Sequence, residues 1–155
     1  MISQRSLTVL LTLASAAMML SAWGFQYIGG YPPCKMCFWQ RYPHMAAVVI
    51  GALALALKTR LLAWLGAVSL MTTSGIGVYH SGVERDLWEG PTSCTSSAIG
   101  GMSTTDLMDQ IMNAPLVRCD DIPWQMFGLT MANLNALGSL VIGLGWVWLA
   151  LRKAD

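Results

Sequence analysis

The stretch Gly29-Gly30-Tyr31-Pro32-Pro33-Cys34-Lys35-Met36-Cys37-Phe38-Trp39-Gln40-Arg41 separates one long apolar segment from the next. Glycine and proline interrupt helices more strongly than other residues, so Gly29 to Pro33 ends the first segment. Directly after Pro33 stands a C-x-x-C pair, with an arginine one helical turn beyond its second cysteine. Two thiols so close can exchange electrons in pairs. An arginine at the mouth of a membrane segment is costly unless it has a partner or a task.

On the N-terminal side the apolar segment runs from about Leu7 to Ile28, preceded by Arg5. About 20 mostly apolar residues suffice to span a bilayer. Arg5, the apolar run and Ala14-Ser15-Ala16 also resemble a cleaved signal peptide. The run exceeds the roughly 7–15 residues of such a signal, so a retained helix is expected. On the other side a second segment runs from about Phe38 to Leu57. Trp39, Arg41 and Tyr42 at its entrance are of the amphipathic types found at bilayer interfaces. Pro43 is expected within the first turns of this helix, where its missing N–H matters least.

After the basic turn Lys58-Thr59-Arg60, a third segment spans about Leu61 to Tyr79, with Gly66, Gly75 and Gly77 available for close helix contact. A fourth, about Leu129 to Leu151, ends in Trp146, Trp148, Arg152 and Lys153. Between them His80 to Gly128 forms a polar loop far above the usual connection length. It contains Cys94 and Cys119. Within it Ser103-Thr104-Thr105-Asp106 offers an N-cap, and Leu107, Met108, Ile111 and Met112 recur at helical spacing before Pro115. The pattern predicts a short amphipathic helix lying on the membrane surface.

Composition agrees with this layout. Of 155 residues 55% are hydrophobic and 11% charged, against roughly 25% charged in soluble domains. The mean hydropathy is +0.53. A net charge of +1 supplies no basic field for nucleic acid. The expected fold is an all-α membrane protein, a single domain over residues 1–155 built as a four-transmembrane-helix bundle with a long outer loop. Arg5, Lys58, Arg60, Arg152 and Lys153 flank one set of helix ends. The loop holds only Arg85 and Arg118 against Glu84, Asp86, Glu89, Asp106, Asp109, Asp120 and Asp121. By the positive-inside rule both termini face the cytoplasm. All four cysteines then lie on the outer side, which in a bacterium is oxidising.

At a helix start the Cys34–Cys37 bond can open and close with little backbone change. Helix N-terminal N–H groups, Lys35 and Arg41 favour a thiolate there. The rivals are a zinc site and an inert disulfide. Zinc would need Cys94 and Cys119, distant in sequence and without a second C-x-x-C or a histidine pair. No histidine follows Cys37, as c-type haem attachment requires. Cys94 and Cys119 alone read as a structural staple, worth roughly 3 kcal/mol in the chain-entropy model. A second thiol pair on the same face changes that reading, because a loop disulfide can meet the first pair and also a soluble partner. Arg41 alone would be a snorkelling side chain. One turn beyond Cys37, its guanidinium can also sit beside the thiols and bind a carbonyl acceptor. Gln40 and His44 are either pocket or interfacial residues, and His80 closes the third segment near the same place. The 11 methionines show no clustered spacing and read as packing.

The chain resembles the DsbB-type disulfide bond formation proteins, the quinone-dependent inner-membrane oxidases of bacterial disulfide catalysis. The resemblance rests on Cys34-Lys35-Met36-Cys37-Phe38-Trp39-Gln40-Arg41 and on Tyr79-His80-Ser81-Gly82-Val83-Glu84 leading through Trp88-Glu89-Gly90-Pro91 to Cys94. Val117-Arg118-Cys119-Asp120, Trp124 and Phe127-Gly128-Leu129 complete it. It implies a protein-disulfide:quinone oxidoreductase in the bacterial inner membrane. It implies that Cys94–Cys119 oxidises a periplasmic DsbA-like thioredoxin-fold dithiol protein, with Cys94 the site of the mixed disulfide. Electrons would pass to Cys34–Cys37 and on to ubiquinone or menaquinone near Cys37 and Arg41, with His80 a further candidate at the quinone. As is established for that relay, the soluble partner is a strong oxidant at about −120 mV, so a protein disulfide alone has little driving force to reoxidise it. The vitamin K epoxide reductases run similar chemistry backwards, but their pattern fits Cys94 and Cys119 less well. A different class altogether is a tetraspan structural protein with two inert disulfides, which thiol trapping would distinguish.

Overall fold

The computed structural model describes residues 3–57, 59–95 and 117–152, together with the single positions 103, 105, 108 and 112. Four long helices carry the fold: α1 (Gln4–Tyr27), α2 (Lys35–Leu57), α3 (Arg60–Val83) and α4 (Met131–Leu151). Of these α1, α3 and α4 are long and apolar enough to cross a membrane. α2 is as long, but Lys35, Gln40, Arg41, Tyr42 and His44 make its N-terminal half polar.

Local chemistry explains the ends. The Ser3 side chain accepts the Ser6 N–H and starts α1. At the other end the chain leaves through Gly29 and Gly30, the latter at φ 72°, a conformation glycine adopts without steric cost. α2 begins at Lys35, three residues before the expected Phe38, because the Cys34 sulfur accepts the Cys37 N–H at 3.2 Å in the manner of an N-cap. This start puts Pro43 in the helix interior, not its first turns.

α3 runs one turn past the expected Tyr79. His80, Ser81, Gly82 and Val83 are all buried, so packing continues the helix where hydropathy falls. α4 starts two residues later than expected, because Gln125–Met126 and Leu129–Thr130 pair as an antiparallel hairpin. Phe127 and Gly128 turn it with φ of 51° and 78°, the twist that suits a two-residue loop. Thr130 then caps α4 in a reciprocal box with Asn133. Of the amphipathic segment expected around 103–112, Thr105, Met108 and Met112 are helical and exposed; Leu107 and Ile111 lie outside the described residues.

The helices form a ring in which each packs on its sequence neighbours and α1 closes against α4. One core cluster joins Leu7, Leu11, Ala47, Ala67, Leu70, Ile142 and Trp146. Small residues permit the close approaches: a Cβ at Gly66 would meet the Trp146 ring at 2.7 Å, and one at Gly77 the Ala132 carbonyl at 3.0 Å. A second cluster, at the α1–α2 loop, gathers Cys34, Met36, Val83, Cys94 and Cys119.

Candidate active site

Cys34 and Cys37 sit at the mouth of α2 with sulfurs 2.7 Å apart. Closing a bond between them needs little movement. The Cys34 thiol is pushed well above its ordinary range, first by its hydrogen bond with the Cys37 sulfur and then by burial. That favours the protonated form of Cys34. Cys37 is also the more exposed of the two.

His80 lies against this pair from α3, Nε2 3.6 Å from the Cys34 sulfur and 3.9 Å from Glu84 Oε1. Its ring also meets the backbone of Cys119, so it touches both cysteine pairs. The orientation of the ring follows from a chain of hydrogen bonds. Gln40 Nε2 donates to the Met36 carbonyl at 3.3 Å and to His80 Nδ1 at 2.8 Å. A carbonyl can only accept, so the Gln40 amide nitrogen is fixed, and His80 Nδ1 must accept from it. In the neutral ring the hydrogen is then on Nε2, facing Cys34.

Asn135 on α4 extends the chain in the other direction. Its Nδ2 donates to the Thr73 carbonyl at 3.3 Å and to Gln40 Oε1 at 2.8 Å. Its Oδ1 faces His44 Nε2 at 3.1 Å, and Ser139 Oγ lies 3.0 Å from the same nitrogen. Two backbone carbonyls thus orient two amides and, through them, two histidines. Such hydrogen bonds between side chains join helices across an apolar interior.

The second pair, Cys94–Cys119, is a disulfide. Although they come from the long polar segment, both cysteines are buried in the cluster with Cys34, Met36 and Val83, flanked by Cys37, Trp39 and Val117. The Cys119 N–H donates to the Cys94 carbonyl at 2.6 Å. Trp88 pins the segment leading to Cys94. It stacks on Tyr79 with ring centroids 6.1 Å apart and donates from Nε1 to the Tyr79 carbonyl at 2.7 Å.

A cavity of about 530 Å³ opens beside the first pair, with Cys34 and Cys37 both in its wall. Met18, Met19, Ala22, Phe25 and Leu134 line its apolar part, and Gln40, Arg41, His44, His80, Glu84 and Asn135 supply polar groups. Arg41 shares this wall with the two thiols. Its guanidinium donates to Gln26 Oε1 at 2.6 Å and to the Ala22 carbonyl at 3.3 Å, both on α1, with Phe38 beneath it at 5.3 Å.

Cys34, Cys37 and His80 also present ligand atoms within 4.8 Å of one another. A metal-bound histidine donates its other ring N–H outward; here Gln40 donates inward to it, which suits His80 to a hydrogen-bond donor role at Nε2. Sequence reasoning singled out the four cysteines, Arg41 and His80, and the structure gathers them at one end. It did not find Asn135, Ser139 or Gln26, whose polar side chains within apolar helices are the only local signal.

The family described as disulfide bond formation protein DsbB matches residues 4–149. The disulfide bond formation protein B of Albidiferax ferrireducens is 29% identical over 157 residues, covering 94% of this chain and 88% of that one. Its counterpart in Shewanella sp. strain MR-4 is 27% identical, covering 83% and 77%. An uncharacterized protein of Rickettsia prowazekii is also 27% identical, covering 83% and 77%. No solved structure matches the chain.

Proposed function

Because the chain belongs to the DsbB family of disulfide bond formation proteins, we propose that it reoxidises a periplasmic DsbA-like thioredoxin-fold dithiol protein and passes the electrons to a membrane quinone, ubiquinone or menaquinone. Membership makes it a disulfide oxidoreductase and a multi-pass bacterial membrane protein. The observation that carries it is the packing of two cysteine pairs in one buried cluster, with a cavity in the wall of the first.

In this reading a partner thiolate attacks Cys94 and breaks the Cys94–Cys119 bond, releasing Cys119 as a thiolate. The partner's second thiolate then displaces Cys94, so the partner leaves as a disulfide and Cys94 and Cys119 hold its electron pair. The same exchange, directed at Cys34–Cys37, returns Cys94–Cys119 to a disulfide and leaves the first pair reduced. Cys37, the less buried of the two, stands in the cavity wall as the thiol from which the electron pair leaves. His80 Nε2–H and the Cys37 N–H both face the Cys34 sulfur and keep it in place. Arg41, anchored to α1, adds positive charge one turn from Cys37.

The cavity fits a flat ring: its volume is in the ordinary range for small-ligand sites, its walls are mainly apolar, and His44 Nδ1 is buried there without a hydrogen-bond partner among the described residues. A bound quinone would supply a two-electron acceptor at this place. α2 completes one four-helix membrane domain, since Met45, Val49, Leu53 and Leu57 give it an exposed apolar stripe like those of its neighbours. Both termini are assigned to the cytoplasm and the cysteines to the periplasmic side, on the arginine and lysine positions.

The test is quinone reduction by purified protein given a reduced thioredoxin-fold dithiol partner, followed by quinone absorbance. The expected result is turnover that Cys37→Ser abolishes. No quinone reduction by the intact protein rejects the reading, and both pairs staying closed in mild reductant would point to inert staples.

A further inference from the structure

His44 is held so that one ring nitrogen is engaged and the other is left open to a ligand. It lies on α2 one turn beyond Arg41 and is buried. Asn135 Nδ2 is committed to the Thr73 carbonyl, Thr73 Oγ1 and Gln40 Oε1. The Asn135 oxygen is therefore what His44 Nε2 meets, and an oxygen that can only accept requires Nε2 to be the donor. Asn135 and Ser139 are both uncharged, so neither calls for a second ring proton. In the neutral ring Nδ1 is then a lone-pair acceptor. It has no partner among the described residues, and His44 lines the cavity. A buried acceptor left unmatched is costly, so the site is complete only with a donor brought in from outside.

We propose that His44 Nδ1 accepts a hydrogen bond from a ring hydroxyl of a para-hydroquinone in the cavity, so that this side chain discriminates the reduced ligand from the oxidised one. The inference rests on the quinone reading above. A carbonyl oxygen is itself an acceptor and leaves Nδ1 unmatched; a hydroxyl matches it. Arg41, which lines the same cavity and can only donate, offers the opposite preference.

The test uses the full-length chain carrying Cys34→Ser and Cys37→Ser, in lipid nanodiscs, so that neither ligand is consumed. A short-chain benzoquinone and its hydroquinone are titrated by calorimetry into this protein and into versions with His44→Leu or His44→Gln. The expected result is a loss of roughly three- to tenfold in hydroquinone affinity for His44→Leu, with quinone affinity unchanged. His44→Gln, whose amide oxygen can accept, restores most of it. A second readout needs no His44 variant: nitrogen NMR of the two histidines in the same protein, where an unprotonated His44 Nδ1 should shift with hydroquinone and not with quinone. Equal losses for both ligands, no change in their ratio, or a protonated Nδ1 in the neutral ring overturns the inference alone. Binding of neither ligand by the protein with His44 intact overturns the quinone reading and this inference with it.

Discussion

Glu84, one residue beyond α3, accepts from Thr130 Oγ1 at 2.5 Å and faces His80 from its other oxygen. Burial pushes its carboxyl above the usual carboxylate range, while Thr130 and the neighbouring Arg85 pull the other way. A carboxyl whose folded value is raised costs nothing while both folded and unfolded states are protonated. The cost appears as pH rises past the unfolded value and grows until the folded group ionises. Glu84→Gln keeps an acceptor for Thr130 and removes that cost. The variant should therefore gain on the natural protein in thermal stability between pH 4 and pH 7, by on the order of 2 °C. Parallel melting curves across that range would show that Glu84 buries no charge of consequence.

At the scale of elements, the turn after α3 behaves as a clasp. Trp88 folds back on Tyr79, whose hydroxyl donates to the Glu89 carbonyl at 2.9 Å, and the indole lies where a Cβ on Gly82 would be. The clasp holds Cys94 down against the first cysteine pair. A side chain at position 82 must displace Trp88, at a cost of about 1–3 kcal/mol, and that cost falls on the closed arrangement. Gly82→Val should speed reduction of Cys94–Cys119 by a small soluble dithiol by about tenfold, read by mass mapping of alkylated cysteines. An unchanged rate would mean that something other than Trp88 keeps the disulfide covered. The hairpin at 125–130 joins two tasks in one hydroxyl: that of Thr130 caps α4 and also binds Glu84.

At the scale of the molecule, apolar side chains face outward all round the bundle, among them Leu13, Leu20, Val49, Leu53, Val68, Val141 and Trp148. Such a surface calls for lipid as its solvent. The polar network of Gln40, Thr73, His44, Asn135 and Ser139 runs through the middle, where α2, α3 and α4 meet. On the proposed orientation, a membrane-impermeant maleimide added to reduced, intact spheroplasts should label the cysteines. Labelling only after the membrane is permeabilised would reverse the assigned orientation.

The long helices and the C-x-x-C couple were legible in the chain because both are local properties. A run of about 20 apolar residues matches a bilayer whatever surrounds it, and two cysteines three positions apart at a helix start must bring their sulfurs near. The helix limits were less legible, because His80 to Val83 stay helical by being packed, and α2 starts early by a sulfur cap. The burial of Cys94–Cys119 against Cys34, the seat of His80 between the two pairs, and the turning of Arg41 toward Gln26 were decided only by the tertiary structure. So was the unmatched nitrogen of His44. Each depends on partners far away in sequence, and on which way an amide points. That direction is set by the Met36 and Thr73 carbonyls, whose places beside Gln40, His80 and Asn135 exist only once the helices have closed into a bundle.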